Sequence, residues 1–425
     1  MADRSSEPLR RQIEKTFPDR PFTLRFWDGA AVEATREGPT LTFRSPRALG
    51  HVLRAPGELG IGRAYATGEI EVDDLDAAIA LLGRWHAPRM STAAKLGLGR
   101  AAIQAAGVRR FPPPPAAELK PSRKRHSRAR DAEAVRHHYD VSNEFFSLFL
   151  DESMTYSCAL WEDADSLEEA QRAKLELICA KLELEEGQRM LDIGAGWGSL
   201  GIHAAREHGV SVLGITLSPP QAELANERAR DAGVGGLARF EVADYRDLAD
   251  DSFDAVASIG MVEHVGGSQA DEYGRQVARM LRPGGKVLNH GIAYVPPTKE
   301  GFHVGGAFSD RYVFPDGEVQ NLSRMLLSFE RAGLETLHVE SLHRDYAETL
   351  RHWATRLDEH LDRAEQLAGP ERLRVWRLYL RAARNGFETG QTSVYQMLCS
   401  HPVTEPARDA PIGLRHEAPR RRTPV

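Results

Sequence analysis

The sequence predicts an α/β protein: a doubly wound, mainly parallel sheet, with a smaller N-terminal α/β domain before it. Three observations predict this class. Between about Arg189 and Leu342, short β-like apolar runs alternate with helical stretches, the pattern of strands joined by helical crossovers. The first run ends in a glycine turn that opens a helix. A proline-rich basic stretch separates this region from the N-terminal segment. The chain has 425 residues, enough for two or three domains with cores of their own. Its 41% hydrophobic and 27% charged residues are globular proportions and exclude a disordered chain.

Residues 1–90 form the N-terminal domain, with strand-like runs at Phe22–Trp27 and Thr40–Phe43 and a helical pattern in LDAAIALLGRW. Residues 91–130 are assigned to a linker. Its first part, Ser91 to Arg110, fits a helix lying either on this domain or on a membrane. Its second part, Arg109 to Arg130, holds eight Lys or Arg against one acidic residue, +7 within a chain of net charge −6. With Pro112 to Pro115 in a row, that part should be extended and solvated. It is either a plain tether or a strip drawn to anionic lipid headgroups, at ~1 kcal/mol per cation near the surface. The acidic remainder and the lack of a nucleic-acid motif argue against nucleic acid.

Residues 131–402 form the second region. RMLDIGAG, SVLGITLS, LARFEVADY, FDAVASIGM and GKVLNHGIA read as buried strands, separated by LGIHAAREHG, PPQAELANERARDAG and QADEYGRQVARMLRPGG. In such sheets ligands bind at the carboxyl ends of the strands, so the loops there carry the candidate site. Residues 403–425 are rich in Pro and Arg and should be a disordered tail. No apolar run approaches the ~20 residues of a membrane span. The N-terminus has no apolar stretch to serve as an export signal, so a cytoplasmic protein is expected. Three cysteines (Cys158, Cys179, Cys399) are too few for a disulfide framework and lack CxxC spacing, so no metal is expected.

The glycine turn is Leu191-Asp192-Ile193-Gly194-Ala195-Gly196-Trp197-Gly198. Glycines there permit positive φ and close approach of backbone to a ligand. The spacing is GxGxG, and the second strand ends in Thr216-Leu217-Ser218, without the acidic residue that a dinucleotide site uses for ribose hydroxyls. This favours S-adenosylmethionine over a dinucleotide, with Gln221 supplying a hydrogen bond in place of the acid. Asp192 reads as a brace for the turn.

The segments HYDVSNEFFSLFLDESMTYSCALW (from His138), LDIGAGWGSL, GITLSPPQ, DYRDL, MVEHVG, RYVFPDG and HRDYAETL occur in this order. Over roughly residues 135 to 400 the chain thereby resembles the cyclopropane-fatty-acyl-phospholipid synthases, a family that includes mycolic acid cyclopropane synthases and related fatty-acid methyltransferases. LGIGRAYATGEIEVDDL looks like the extra, lipid-binding or oligomerisation domain of the phospholipid-acting members. The resemblance implies a seven-stranded class I methyltransferase (Rossmann-like) sheet. It also implies transfer of the methyl of S-adenosylmethionine, net a methylene, to a cis double bond of unsaturated phospholipid acyl chains. A bound bicarbonate ion then deprotonates the carbocation and the ring closes. In related members that make methylene- or methyl-branched chains, the proton leaves from elsewhere along the chain. A non-catalytic membrane-binding protein with the same fold predicts degraded site residues, and here the motifs are intact.

Carried over residue by residue, the match places Glu263, His290, Ile292, Tyr346 and Cys158 around the bicarbonate. His290, Tyr346 and the backbone N–H groups of Cys158 and Ile292 are the donors, and Glu263 accepts the anion's proton. Taken alone, Cys158 fits a buried small hydrophobe, Tyr346 a core aromatic, and His264 an alternative base. Cofactor contacts fall to Tyr156, Ser157, Gly194, Ala195, Gly196, Thr216, Leu217, Gln221, Tyr245 and Arg246, with Tyr245 against adenine. Phe302, Phe308, Tyr312 and Phe314 are either an acyl tunnel or core packing. An anionic membrane surface on the inner face and a second copy of the chain complete the expected partners.

Overall fold

The structure is a computed structural model that describes residues 5–85, 88–107, 111–119, 128, 130, 131, 133, 141–249, 252–295 and 306–403. It divides into two compact units, Met1–Leu150 with Phe302–Gly317 and Tyr346–Thr392, and Asp151–Gly301 with Glu318–Asp345 and Ser393–Val425. Stretches from the second half of the chain therefore belong to the first unit, a division that the linear boundaries drawn from sequence do not contain.

The first unit carries a four-stranded sheet in the order β2-β1-β3-β4. Its strands are β1 (Thr23–Arg25), β2 (Ala31–Val32), β3 (Thr40–Phe43) and β4 (Ile70–Val72). Leu9 and Ile13 of helix Glu7–Thr16 pack into one core with Phe26, Val32, Phe43, Leu49 and Ile70. The helix Thr92–Ala106, inside the stretch assigned to the linker, joins that core through Ala101, Ala105 and Ala106. Their small side chains make an apolar stripe that can approach its neighbours closely, so this face of the helix lies on the domain, while Leu96 and Ile103 of the same helix stay exposed. Ser91 caps it by accepting from the Ala94 N–H.

The next segment is pinned too. Glu118 forms a bidentate pair with Arg63 at 2.6 and 2.7 Å, with side chains only 4% and 7% exposed, and accepts from the Tyr312 hydroxyl at 3.0 Å. Arg130, counted in the basic strip, is buried against Asp316 at 2.5 Å. A solvated tether does not describe these anchored positions. Arg109, Arg110, Lys120, Arg123, Lys124 and Arg125 lie outside the described residues, as does the tail from 404 on. Phe308 and Tyr312 stack at 4.7 Å and are buried with Ala66 and Val375, so they pack a core; Phe302 is not described.

The second unit is built on the predicted sheet, ordered β11-β12-β9-β8-β5-β6-β7. The strands are β5 (Arg189–Ile193), β6 (Ser211–Thr216), β7 (Ala238–Val242), β8 (Phe253–Ile259), β9 (Leu281–Tyr294), β10 (Gln320–Asn321), β11 (Glu335–Ser341) and β12 (Thr392–Ser400). β5 through β9 are parallel, and β11 and β12 are antiparallel to each other. The two-residue β10 pairs with β9 as an eighth strand beside the expected seven. The central strands are rich in buried apolar residues, as in β5 and β8, the pattern of a parallel sheet covered on both faces. No helix among the described residues is long and apolar enough to cross a membrane.

Truncating one member of a buried ion pair strands the other's charge. Glu118→Ala should therefore destabilise the chain by about 3–5 kcal/mol. The double variant Arg63→Met/Glu118→Leu should lose much less, as read by denaturant unfolding.

Candidate active site

The turn after β5 has the backbone its glycines allow, with φ of +80°, +55° and +84° at Gly194, Gly196 and Gly198. The N–H groups of Gly194 and Ala195 both donate to the Ile215 carbonyl at 2.9 Å, which ties the turn to β6. Behind it, a Cβ on Gly198 would come within 2.8 Å of the Phe240 ring, and one on Gly214 within 2.3 Å, so the ring fills space only glycines leave. Over Gly196 nothing lies within 4 Å, which leaves the open cradle that a cofactor's backbone contacts require.

Beside the turn, Tyr156, Ser157 and Cys158 hang from the helix Leu167–Leu182. Gln171 Nε2 donates to the carbonyls of Thr155 and Ser157 at 3.2 and 2.9 Å, and Lys174 Nζ donates to Ser157 Oγ at 2.9 Å. An ammonium has no acceptor, so Ser157 Oγ must accept, and its own proton is turned to another partner. Lys174 is 1% exposed, and burial pulls its pKa down to about 8 against the opposing pull of Asp151, Cys158 and Asp192. Burial likewise pushes Asp192, at the end of β5, up to about 7. Cys158 is fully buried, with its thiol directed at the Ala159 and Leu342 carbonyls, a packed lining role.

Thr216 Oγ1 donates to Gln221 Oε1 at 2.7 Å, which commits that oxygen and leaves the Gln221 amide N–H groups as its donors. Leu217 is half-buried. Tyr245 is 6% exposed, edge-on to Tyr273 at 5.5 Å, so its ring packs the core and offers little face to adenine. Arg246 is held by Asp244 in two contacts of 2.9 and 2.6 Å.

One strand over, Ile259 of β8 lies opposite His290 of β9, and Glu263 sits in the helical turn Val262–Val265 just past β8. Glu263 Oε1 accepts from the Ile292 N–H at 2.6 Å, so that amide is committed to the carboxylate and is not a free donor for an anion. Glu263 Oε2 is buried without a partner among the described residues. Burial raises this carboxyl to about 7, against the lowering effect of the Ile292 N–H. His290 is 2% exposed, and burial, reinforced by Lys174 and Lys181, drives its pKa down to about 3, so the ring is neutral.

Its tautomer follows from the neighbours. Lys181 Nζ can only donate, and it contacts Gln396 Oε1 at 2.6 Å and also Glu340. Gln396 must then turn its NH2 toward His290 Nδ1, at 3.4 Å. With Nδ1 the acceptor, the proton sits on Nε2, which is buried without a partner among the described residues. An orphaned carboxylate oxygen and an orphaned ring N–H fit a small oxyanion that carries one proton, as bicarbonate does. Tyr346 lies in the first unit, its ring packed on Phe387 at 4.7 Å and Trp353 at 6.1 Å.

Lys174, Gln171, Gln396 and Lys181 were not singled out from sequence. Only the first two left a signal: both fall on the buried stripe of their helix with Leu167, Ala170, Leu175 and Ile178, where a polar residue needs a reason.

Residues 126–397 match the family model for mycolic acid cyclopropane synthetase. The chain belongs to this family. A probable fatty acid methyltransferase of Mycobacterium tuberculosis is 38% identical to it over 410 residues, covering 93% of this chain and 94% of that one. The cyclopropane-fatty-acyl-phospholipid synthase of Escherichia coli is 34% identical over 378 residues, 87% of this chain and 90% of that one. The crystal structure of a mycolic acid cyclopropane synthase complexed with SAH and CTAB superposes with TM-score 0.60 at 31% identity, covering 63% of this chain and 98% of that one. This family member is thus an S-adenosylmethionine-dependent methyltransferase, with relatives named for lipid acyl chain modification.

Because the Glu263 carboxyl is raised from 4.5 to about 7, the folded chain binds more protons than the unfolded one between those values, and its stability falls as pH rises across them. Glu263→Gln removes that cost. Denaturant midpoints should show a gain on the order of 3 kcal/mol at about pH 8 and none at about pH 4.

Proposed function

We propose that this methyltransferase acts on a cis double bond of unsaturated acyl chains in membrane phospholipids and closes a cyclopropane ring. The observation that carries this reading is that two buried polar atoms, Glu263 Oε2 and His290 Nε2, have no hydrogen-bond partner among the described residues, in a unit whose glycine cradle is intact. S-adenosylmethionine supplies the methyl group and bicarbonate the base when both are bound. The turn Gly194 to Gly196, with Tyr156, Ser157, Thr216 and Gln221, would hold the cofactor. An alkene is a poor nucleophile, so this fixed backbone serves to keep the two reactants in line.

His290 donates from Nε2 to the anion and cannot compete as a base, since its other nitrogen faces Gln396. Glu263 takes a proton at Oε2, which a carboxyl balanced near neutrality does readily. Cys158 completes the proposed surroundings of the anion within this unit; Tyr346, assigned there by the family motif, belongs to the other unit. Peripheral contact with the anionic inner face of a membrane through the remaining cations of the basic stretch 109–130 belongs to the same proposal and is supported by their sequence charge; a cytoplasmic location and a homodimer are proposed with it.

A second reading is a methylene- or methyl-branched product. It is favoured by relatives named probable fatty acid methyltransferase, from Mycobacterium tuberculosis and Pseudomonas putida, which match at 38% and 37% identity over more than nine tenths of the chain. Proton NMR of lipid recovered after incubation with S-adenosylmethionine and cis-unsaturated phospholipid vesicles decides between them. Upfield ring-methylene signals are expected; vinylic methylene signals would overturn ring closure. Glu263→Gln should retain cofactor binding by calorimetry and lose roughly 10²–10⁴-fold in turnover. Gln396→Leu should release the His290 tautomer and lower kcat by roughly tenfold or more at unchanged KM for S-adenosylmethionine.

A further inference from the structure

Outside the residues described above, the helices Leu167–Leu182 and Ser199–His208 bring together donors that neither helix shows alone. The Cys179 sulfur and one ring nitrogen each of His203 and His208 all lie within 4.8 Å of one another. Glu176, one turn before Cys179, reaches both rings through a single oxygen, at 3.1 Å from His203 Nε2 and 3.2 Å from His208 Nε2. Cys179 is completely buried, and no hydrogen bond to its sulfur is found among the described residues. By contrast, the thiols of Cys158 and Cys399 are directed at oxygen acceptors.

We propose that Cys179, His203 and His208 form a binding site for a zinc-class divalent cation, with Glu176 as the carboxylate that closes it. One thiolate and two imidazoles are the borderline-soft donor set that such ions prefer over calcium or magnesium. Tetrahedral bonds of about 2.0–2.3 Å place ligand atoms about 3.3–3.8 Å apart, so the side chains need to draw in by no more than about 1.5 Å.

As the metal–sulfur bond forms, the thiol loses its proton to solvent. Each imidazole gives one lone pair to the metal and keeps its proton on the other nitrogen, so nothing is oxidised or reduced. Entry is from the side of Glu176 and His208, whose side chains are 53% and 19% exposed. Sequence spacing did not reveal the cluster because its ligands come from two helices.

The bound ion would bolt together the helix that carries Gln171 and Lys174 and the helix that starts at the glycine turn, so the site is structural and needs no role in turnover. The test uses the full chain, stripped with chelator and titrated with Co2+. Thiolate-to-cobalt charge transfer in the near ultraviolet and intense tetrahedral bands in the visible are expected, and Zn2+ should displace them. Cys179→Ser should abolish the charge-transfer band. His208→Asn, at a helix end that tolerates the change, should weaken Co2+ and Zn2+ binding by roughly 10–100-fold. No charge-transfer band at saturating Co2+, a band retained in Cys179→Ser, or unchanged affinity in His208→Asn would each overturn the site.

Discussion

One buried ammonium sets the charge balance of the catalytic edge. Lys174 lies in an interior that penalises its charge, and among the described residues its hydrogen-bond acceptor is one hydroxyl, Ser157 Oγ. Its field reaches in two directions. It moderates the rise of the Asp192 carboxyl under the glycine turn and helps to suppress protonation of His290. Its hydrogen bond fixes which way the Ser157 hydroxyl can donate. The helix that carries it also supplies Gln171, so the Tyr156–Cys158 turn is held by one rigid element.

The same interior treats two titratable groups in opposite ways. Desolvation penalises the charged form, which is the anion of Glu263 and the cation of His290. The carboxyl moves up toward neutrality and the imidazole becomes a permanent neutral donor. A proton acceptor and a hydrogen-bond donor are thus produced by one physical effect acting on two residue types. Glu340, Lys181 and Gln396 add what burial cannot, a choice of tautomer.

The parallel sheet was legible because each strand is an apolar run bounded by turn residues, and the glycine turn because only glycine tolerates its φ values. Glu263, His290 and Ile292 were located by motif, and the structure ties Glu263 to Ile292 directly. That bond shows why the motif misassigned one donor: whether a backbone N–H is free depends on long-range pairing, 29 residues apart here. The linker misled for a similar reason. RRFPPPPAAELKPSRKRHSRAR looks solvated by composition, but Glu118 and Arg130 find buried partners 55 and 186 residues away, which no local pattern displays. Phe308 and Tyr312 were ambiguous because a tunnel and a core ask for the same aromatics.

The interleaving of the two units has a bearing on how the polypeptide is made. Arg374 donates to the Tyr65 and Ile70 carbonyls, and Arg381 reaches Asp76, 305 positions earlier. In the other unit β12, near the end of the described chain, inserts between β9 and β11. The core around Leu9, Ile13, Phe26, Val32, Phe43, Leu49 and Ile70 is complete by Ala106 and can gather early, whereas the contacts of Arg374 and Arg381 and the insertion of β12 wait until almost the whole polypeptide has left the ribosome. A ribosome that stops short of residue 392 therefore releases a product in which both units lack their last segments.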